Sequence, residues 1–284
     1  MTSLRAKMKQ EMTLRGLSSA TQEKYLNSII KLHDFYQCNP AKLNENDIKA
    51  FLLSPKNQAL AASTYNIMLH GLRFFYEVVL GKPYLAILLP RKREAQKLPD
   101  ILSENEVCQI IKATHQLKYR TLFILIYGAG LRASEAISLR TGDLDRGRSV
   151  IHIRCGKGNK DRYVLLSPIM LQALETYWKN TRSKQKPSHQ YHDLIFLSRM
   201  ANPLSYSSLS SVYRQSKQQA GIQKQGGVHS LRHAFATHTL ESGADLFTIK
   251  QLLGHASISS TVRYLRMTDK TLQQIQSPVD NLML

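Results

Sequence analysis

Apolar residues recur at helical spacing through the first part of the chain. The first such stripe consists of Tyr25, Ile29, Leu32 and Tyr36. Positions three and four residues apart share one face of an α-helix, so this stripe predicts a helix with one buried side. Ser19, with Gln22 three residues later, predicts a capping box at its start, and Asn39-Pro40 predicts its end.

Two more helices are predicted after this break. Asn44, followed three residues later by Asp47, is typical of a helix N-terminus, and Ser63 is expected to begin the longer helix that follows. The apolar stripe of that longer helix is Tyr65, Met68, Leu69, Leu72, Phe75, Tyr76 and Val79. His70 and Arg73 lie off the stripe and are expected at the surface.

A basic segment separates this helical region from the rest of the chain. It runs from Leu89 to Pro99, has a proline near each end and shows no apolar periodicity, which is typical of a linker. Its Arg91, Lys92 and Arg93 are expected either to be solvated or to lie along the phosphates of a nucleic acid. The predicted organisation is a helical domain at 1–88, a linker at 89–99 and a second domain at 100–284.

The second region mixes helical and strand patterns. Ser103, with Glu106 three residues later, predicts a helix start, and Ser167-Pro168 predicts another. Val150–Arg154 and Arg162–Leu166 alternate between side-chain types and predict the two strands of a hairpin. The expected fold class is therefore mainly α with a small antiparallel β-sheet (α+β).

The loop between these strands carries Lys157 and Lys160 in the run Gly156-Lys-Gly-Asn-Lys-Asp161. A GxxxxGK pattern is absent, so the loop is not a nucleotide-binding P-loop. The simpler interpretation is a solvated hairpin tip. The functional interpretation is a lysine that reaches a nucleic-acid backbone or a leaving group.

Composition points to a polyanionic partner. The chain has 284 residues, and its 39 lysines and arginines against 20 aspartates and glutamates give a formal net charge of +19. The surplus is spread over both halves of the chain. Such charge on a folded protein favours a polyanion, of which nucleic acid is the first candidate. A basic surface that serves only solubility is the alternative.

Cysteine usage and apolar runs predict an intracellular protein with no membrane partner. Cys38, Cys108 and Cys155 are odd in number and lack metal-ligand spacing, so they are expected to be reduced thiols of a cytosolic protein. Met1–Arg15 is polar and basic and lacks the apolar core of a secretory signal. The longest apolar run, Leu122–Tyr127, is too short to span a bilayer.

The densest group of candidate catalytic residues begins at His229. His229 and Arg232 stand three residues apart in a helical pattern and are expected on one face. Leu231, Ala234 and Phe235 are expected to face the core. The histidine and the arginine would then point together into a shared space.

A second histidine and a tyrosine, His255 and Tyr264, follow a helix that Gly254 is expected to end. Brought together, an arginine, two histidines and a tyrosine make a phosphate clamp beside a phenol nucleophile. A core tyrosine and hydrogen-bonded histidines are the simpler alternative. His229 and His233 also have the spacing of a zinc pair, but no glutamate follows His229 to complete a metalloprotease motif, so no metal site is expected.

Gly128-Ala-Gly130-Leu-Arg132 adds a second arginine to these candidates. The two glycines allow a tight backbone turn that delivers Arg132 into a cleft. Glu135, about one helical turn later, can orient a guanidinium or a histidine. Alone this motif is weakly specific, because glycines before helices are common.

Taken in order, these motifs resemble the tyrosine recombinase (phage integrase) family, and most closely its compact, Xer-like bacterial members. The motifs are Gly-Leu-Arg132-x-Ser-Glu135, Gly-Lys157-Gly-x-Lys160, His229-x-Leu-Arg232-His233, Leu-Gly-His255 and Tyr264. The resemblance covers about residues 100–270, and the helical first region suits the family's core-DNA-binding (SAM-like) domain. It implies a two-domain, C-shaped clamp around double-stranded DNA.

The resemblance also implies the site residues. The residues that would assemble around a DNA phosphate are Arg132, Lys157, His229, Arg232 and His255, with Tyr264 as nucleophile. Glu135 and His233 match the supporting positions. Lys157 is favoured over Lys160 as the acting lysine. Contacts to the DNA are expected from Arg73, Arg91, Lys92, Arg93, Lys157 and Lys160.

The implied activity is site-specific cutting and rejoining of DNA through a 3′-phosphotyrosine, without ATP, metal or another cofactor. Joining two duplexes takes two cleavages on each, so a monomer that assembles into a tetramer on two DNA sites is expected, with an accessory or partner recombinase as a further candidate partner. The tail after Tyr264 is expected either to dock on a neighbouring protomer or to fray. The competing interpretations are DNA relaxation of the type IB topoisomerase kind and a DNA-binding architectural protein without catalysis.

Overall fold

The computed structural model describes residues 2–82, 91–93, 100–154, 161–255 and 257–262. The chain forms two compact units, Met1–Lys97 and Leu98–Leu284. Helices make up most of the described residues, and a small antiparallel sheet lies in the second unit. The predicted fold class, mainly α with a small antiparallel sheet, is confirmed.

The first unit is helical in its described part. Its helices are α1 Thr2–Leu14, α2 Ser19–Tyr36, α3 Glu45–Leu53, α4 Pro55–Gln58 and α5 Ala62–Phe74, which continues into a π-helical turn at Phe75–Val79. Side chains from these helices form one core, in which Leu32, Ile48 and Leu69 are fully buried. The Tyr76 hydroxyl donates to the Pro40 carbonyl at 2.7 Å and ties the π-helical turn to the loop after α2.

Polar caps mark the starts of two of these helices. At α3, Asn44 and Asp47 form the predicted capping box. At α2 the cap is Ser18, whose hydroxyl accepts from the Thr21 N–H, so the predicted cap at Ser19 was wrong by one residue. Adjacent serines offer the same chemistry, and the apolar stripe locates a helix without fixing its first residue.

The sequence patterns missed α1 and misplaced the start of α5. Met8 and Met12 of α1 are fully buried, but two methionines in an otherwise polar segment give little helical periodicity. α5 begins at Ala62 rather than Ser63, and no side chain caps it. Packing against neighbouring helices, rather than a local signal, determines both features.

Described residues of the predicted linker pack against the first unit. The Lys92 N–H donates to Asn66 Oδ1 and Asn66 Nδ2 donates to Lys92 O, both at 3.0 Å. The Lys92 ammonium donates to the Gln58 carbonyl at 2.6 Å and lies 4.6 Å from the centre of the Tyr65 ring. This part of the segment is therefore held on α4 and α5.

Along the chain of the second unit, helices precede and follow a short β-sheet. Its elements are α6 Glu104–Ala113, α7 Leu117–Gly128, α8 Ala133–Ile137, β1 Leu144–Asp145, β2 Val150–Ile153, β3 Arg162–Leu165, α9 Pro168–Asn180, α10 Tyr206–Gln219, α11 His229–Glu241, α12 Leu246–Leu253 and α13 Ser259–Val262. The core is centred on α7, where Leu122, Phe123 and Leu125 are fully buried. Among the described helices, none combines the length and the apolarity that a bilayer crossing needs.

The sheet has the order β1-β2-β3 and is antiparallel. β2 and β3 form the predicted hairpin, with Val150 opposite Leu165. The short strand β1 was not predicted, because two residues carry no periodic signal. The hairpin tip with Lys157 and Lys160 lies outside the described residues.

Three contacts bring the ends of distant elements together. α11 packs against α7 and α12, and β3 also packs against α12. α12 ends at Gly254, which is left-handed with φ 60° and closes the helix as predicted. The start of α8, the start of β3 and the C-terminal end of α12 meet in one region, because Arg132 and Arg162 both donate to carbonyls at that helix end.

Replacing Gly130, just before α8, with alanine is expected to lower the free energy of unfolding more than alanine at Gly221 or Gly147. Gly130 has φ +61°, and a Cβ there would lie 2.4 Å from the Phe235 ring. Left-handed backbone costs a residue with a Cβ roughly 1–2 kcal/mol, and overpacking typically adds about 1–3 kcal/mol.

Two control glycines separate these costs. Gly221 is left-handed with open space around it, so Gly221→Ala is expected to show the backbone cost alone. Gly147 is outside the left-handed region and has only ordinary neighbours, so Gly147→Ala is expected to change little. Denaturant unfolding measures all three variants, and equal losses at Gly130 and Gly221 would contradict close packing against Phe235.

Candidate active site

Arg132 stands immediately before α8 and is oriented by Glu135. The Arg132 backbone N–H donates to Glu135 Oε2 at 2.8 Å, and Arg132 Nη1 donates to Glu135 Oε1 at 2.7 Å. Arg132 Nη2 donates to the Gly254 carbonyl at 3.0 Å. The carboxylate thus fixes both the backbone and the side chain of Arg132.

Arg232 reaches the same carboxylate from α11. Its Nη1 lies 3.8 Å from Glu135 Oε2 and donates to the Gly130 carbonyl at 2.7 Å, while its Nη2 donates to the Leu253 carbonyl at 2.5 Å. The Arg232 side chain is only 1% exposed, so it is enclosed rather than open on the helix surface. Two arginines that are far apart in sequence therefore converge on one carboxylate.

A third arginine, Arg162 at the start of β3, belongs to this cluster and was not among the predicted site residues. Its Nη1 and Nη2 donate to the two oxygens of Glu135 at 2.9 and 2.7 Å, and its Nε donates to the Leu252 carbonyl at 2.8 Å. The alternation of β3 did indicate that Arg162 faces inward. Residues two apart on a strand lie on the same face, and Val164 is buried. An inward guanidinium needs polar partners, but the sequence does not say which.

The C-terminal end of α12 is the second anchor of the cluster. Each of the three arginines donates to a different carbonyl of this turn, those of Leu252, Leu253 and Gly254. The last carbonyls of a helix lack intrahelical partners and carry partial negative charge, so cations are stabilised there. Three consecutive carbonyls at the end of this helix therefore hold three guanidiniums next to one another.

Glu135 is ionised within this cluster. Burial alone would raise its pKa, but hydrogen bonds and charge from Arg162 and Arg132 outweigh burial and lower the pKa of Glu135 to about 2. Because the folded-state pKa lies below the ordinary value of 4.5, the ionised carboxylate stabilises the fold above about pH 4.5. That contribution is lost as the pH falls towards 2. Three guanidiniums around one carboxylate leave the cluster positively charged, as an anion site requires.

His229, the first residue of α11, lies beside the cluster. The residue is exposed at the surface, yet enough protein surrounds its ring to lower the pKa of His229 by desolvation. The charges of Arg232 and Arg132 lower that pKa further, and Glu135 opposes them. A lowered pKa keeps the imidazole neutral at neutral pH and able to accept a proton.

Two further histidines support this region. The His233 ring lies 4.9 Å from the His229 ring, edge to face. His255 follows Gly254 directly, and its Nδ1 lies 2.9 Å from the hydroxyl of the fully buried Thr261. Among the described residues, no group of three or more His, Cys, Asp and Glu side chains is placed to hold a metal ion.

The described part of the predicted site is therefore contiguous. It joins Arg132, Arg232 and Glu135, with His229 within electrostatic reach of all three. His255 is the next residue after the glycine whose carbonyl binds Arg132. Lys157, Lys160 and Tyr264, the remaining predicted residues, lie outside the described ones.

Predicted DNA contacts in the first unit also lie close together. Burial lowers the pKa of His70, and the charges of Arg91 and Arg73 lower it further, which places both arginines near this histidine on α5. Arg91 and Arg93 are exposed, while Lys92 between them is engaged with backbone carbonyls. The two exposed arginines thus flank an anchored lysine.

The imidazole of His229 is expected to titrate below pH 6.5 in the protein without DNA and at higher pH in the DNA complex. Arg232 and Arg132 disfavour its protonation, and a phosphate beside it would favour protonation. Histidine-selective NMR titration measures both values, and His229→Gln assigns the signal among 10 histidines. An unchanged pKa on DNA binding would contradict a phosphate at this site.

The fold and the arginine cluster together indicate an enzyme that acts on nucleic acid. The chain is basic and mainly helical, and its arginine cluster and neutral histidine are the groups that phosphoryl-group chemistry on a nucleic acid requires. A family model described as Phage integrase family matches residues 100–271. A second model, described as Phage integrase, N-terminal SAM-like domain, matches residues 4–85.

Related proteins align with this chain over most of their length. The putative integrase/recombinase y4qK of Sinorhizobium fredii is 36% identical over 284 residues, which cover 99% of this chain and 90% of the relative. Tyrosine recombinase XerC of Halalkalibacterium halodurans is 34% identical over 242 residues, with 80% and 79% covered. Tyrosine recombinase XerD of Oceanobacillus iheyensis is 32% identical over 277 residues, with 92% of each chain covered.

Solved structures agree with this grouping. XerA recombinase has a TM-score of 0.56 at 28% identity, with 96% of each chain covered. XerH site-specific recombinase bound to palindromic difH substrate has a TM-score of 0.75 at 23% identity, with 91% of this chain and 80% of that chain covered, which shows a shared fold. The chain belongs to the phage integrase family of tyrosine recombinases, as its motifs predicted. Its enzyme class is site-specific DNA recombinase.

Proposed function

We propose that this recombinase cuts a DNA strand by attack of the Tyr264 phenol on a phosphate held by Arg132 and Arg232. The observation that supports this most is the convergence of both guanidiniums on Glu135 beside His229. Two adjacent guanidiniums can bind the non-bridging oxygens of one phosphate and stabilise the charge of a pentacoordinate transition state.

The phosphate reaches the cluster from the side of Arg132 and His229. The Arg132 side chain is 20% exposed and His229 is exposed, whereas Arg232 is enclosed at 1%. Contact with Arg232 therefore follows after the phosphate has met Arg132, and it requires a local rearrangement around Arg232. The carbonyl partners of Arg232 hold its guanidinium in place until then.

The remaining residues move protons. The phenol of a tyrosine has a pKa near 10, so neutral His229 assists by accepting its proton while Tyr264 Oη bonds to phosphorus. The phosphorus–O5′ bond breaks, and Lys157 donates a proton to the departing oxygen as general acid. Lys160 is the alternative donor, and His255 donates a hydrogen bond to the phosphate. The products are a 3′-phosphotyrosine and a free 5′ hydroxyl.

Rejoining reverses these steps with another strand. The phosphotyrosine retains the energy of the phosphodiester, so a 5′ hydroxyl of the partner duplex can displace Tyr264 without ATP. Exchange between two duplexes requires two cleavages on each. Four protomers on two DNA sites provide them, and an accessory or partner recombinase can contribute to that assembly in the bacterial cytoplasm.

Electrostatics supplies the attraction to DNA. A net charge of +19 supports salt-dependent binding to the phosphate backbone. In the first unit, Arg73, Arg91 and Arg93 are proposed as backbone contacts, and Lys92 holds the segment that presents two of them. Such contacts position the protein without reading sequence.

A plasmid with two target sites tests the proposed function against its alternatives. The target is first recovered by sequencing the DNA that becomes covalently attached to the protein in cells. Incubation of the supercoiled plasmid with purified protein is expected to give deleted or inverted product. Relaxed circles without recombinant product would instead indicate a topoisomerase, and binding without any covalent attachment would indicate an architectural protein.

A further inference from the structure

We propose that Arg162 is a positioning residue that keeps Arg132 and Arg232 arranged for the phosphate, an inference that rests on the proposed function. Its side chain is 9% exposed, so it does not offer a surface to DNA. Its guanidinium instead meets both oxygens of Glu135 and the Leu252 carbonyl. It acts through the carboxylate and through the helix end.

The first part of this role is competition for Glu135. Arg162 makes a two-point contact with the carboxylate at 2.9 and 2.7 Å, while Arg132 Nη1 uses one oxygen at 2.7 Å and Arg232 Nη1 remains 3.8 Å from the other. A bidentate guanidinium–carboxylate pair is stronger and more directional than a single contact. Without Arg162, the carboxylate is free to pair more tightly with Arg132 and Arg232 and so to withdraw positive charge from the phosphate.

The second part is support of the turn after α12. Arg162 Nε donates to the Leu252 carbonyl. The carbonyls of the next two residues, Leu253 and Gly254, accept from Arg232 and Arg132. The Arg162 side chain also packs on Gly254, where a Cβ would lie 3.0 Å from Arg162 Cδ. A shift of this turn would therefore move both of the other guanidiniums, as well as His255, which follows Gly254.

Lysine cannot replace this arginine. One ammonium is a point charge on a flexible stem, whereas the planar guanidinium serves both Glu135 oxygens and a carbonyl at fixed angles. Arg162→Lys keeps the charge and loses this geometry. Misplacement of reacting groups by about 1 Å can cost on the order of 10²-fold in rate, so we expect a loss of that order in the rate of strand cleavage.

Arg140 offers a matched control in the same unit. Its Nη1 donates to both oxygens of Asp193 at 2.6 Å, and its side chain is 46% exposed. Arg140→Lys thus removes a guanidinium–carboxylate contact whose carboxylate is Asp193 and not Glu135. This variant is expected to cleave DNA at the wild-type rate.

The test measures single-turnover formation of the covalent complex on a nicked duplex that carries the recovered target site. Wild type, Arg162→Lys, Arg140→Lys, Glu135→Gln and the Arg162→Lys/Glu135→Gln double variant are compared at a temperature where all are folded. We expect Arg162→Lys to slow cleavage while its dissociation constant for DNA stays unchanged. We also expect Arg162→Lys to have a smaller effect in the Glu135→Gln background, since coupled residues are not additive.

The pH dependence of cleavage separates positioning from a general loss of stability. Removal of the Arg162 contact raises the pKa of Glu135 towards its ordinary value, so the cleavage rate of Arg162→Lys should begin to fall at a higher pH than that of wild type. A variant that is merely less stable would lower the melting temperature and keep the wild-type profile.

Each outcome has a defined meaning. Wild-type rates in Arg162→Lys would overturn the positioning role while leaving the recombinase function in place. An equal loss in the presence and absence of Glu135→Gln would overturn the part of that role that acts through the carboxylate. A slowed Arg162→Lys with an unshifted pH profile would overturn it as well. A wild-type protein that never attaches to DNA would overturn the proposed function itself.

Discussion

Tyr264→Phe is expected to abolish covalent attachment of the protein to DNA and to leave DNA binding intact. Phenylalanine keeps the ring and removes the only atom that is proposed to bond to phosphorus. Incubation with a nicked suicide duplex, followed by denaturing electrophoresis, should show a shifted protein–DNA band for wild type. The variant should show none at any time of incubation.

A second tyrosine controls for the loss of a hydroxyl. Tyr206, an exposed residue at the start of α10, is expected to tolerate phenylalanine without a change in the yield of covalent complex. Electrophoresis under native conditions should show equal DNA affinity for both variants. Residual covalent product in Tyr264→Phe would mean that another residue is the nucleophile.

Arg232→Lys is expected to slow strand cleavage by roughly 10²–10³-fold, the typical effect of removing one fixed donor from a site that stabilises transition-state charge. Its guanidinium now serves Gly130 O and Leu253 O at 2.7 and 2.5 Å. One ammonium cannot keep these carbonyls and also bind a phosphate oxygen with the same geometry. Single-turnover measurements of covalent complex formation give the rate.

Arg182 provides a buried arginine outside the site as the control for Arg232. Its side chain donates to Leu194 O and His192 O at 2.9 and 2.8 Å, and the residue is 3% exposed. Arg182→Lys should lower the free energy of unfolding and leave the cleavage rate of the folded protein unchanged. Similar losses of cleavage in both variants would show that burial alone, and no special role of Arg232, explains the effect.

Features with local causes were predictable from the sequence. Asn44 with Asp47 and Ser103 with Glu106 form the capping boxes that their spacing predicted, because each box involves only neighbours within one turn. Gly254 ends α12 because a left-handed position favours glycine. The strands of the hairpin were likewise predictable, since alternation is a property of a few consecutive residues.

Features that depend on distant partners were not predictable in the same way. In the sequence, Arg162 looks like an ordinary strand residue. Its partners, Glu135 and the end of α12, are apparent only in the fold. Arg232 was expected with His229 on the helix face away from the core, but its side chain is 1% exposed and binds the same carbonyl turn. Lys92 was expected either to be solvated or to contact a phosphate, while in the structure its ammonium binds the Gln58 carbonyl. In each case the partner lies many residues away, and one sequence does not specify the pairing.

The most direct test of the mechanism is mass spectrometry of the protein trapped on the nicked duplex and digested with protease and nuclease. We expect one modified peptide, with a nucleotide linked through its 3′ phosphate to the oxygen of Tyr264. A nucleotide on any other residue, or a linkage through a 5′ phosphate, would contradict it.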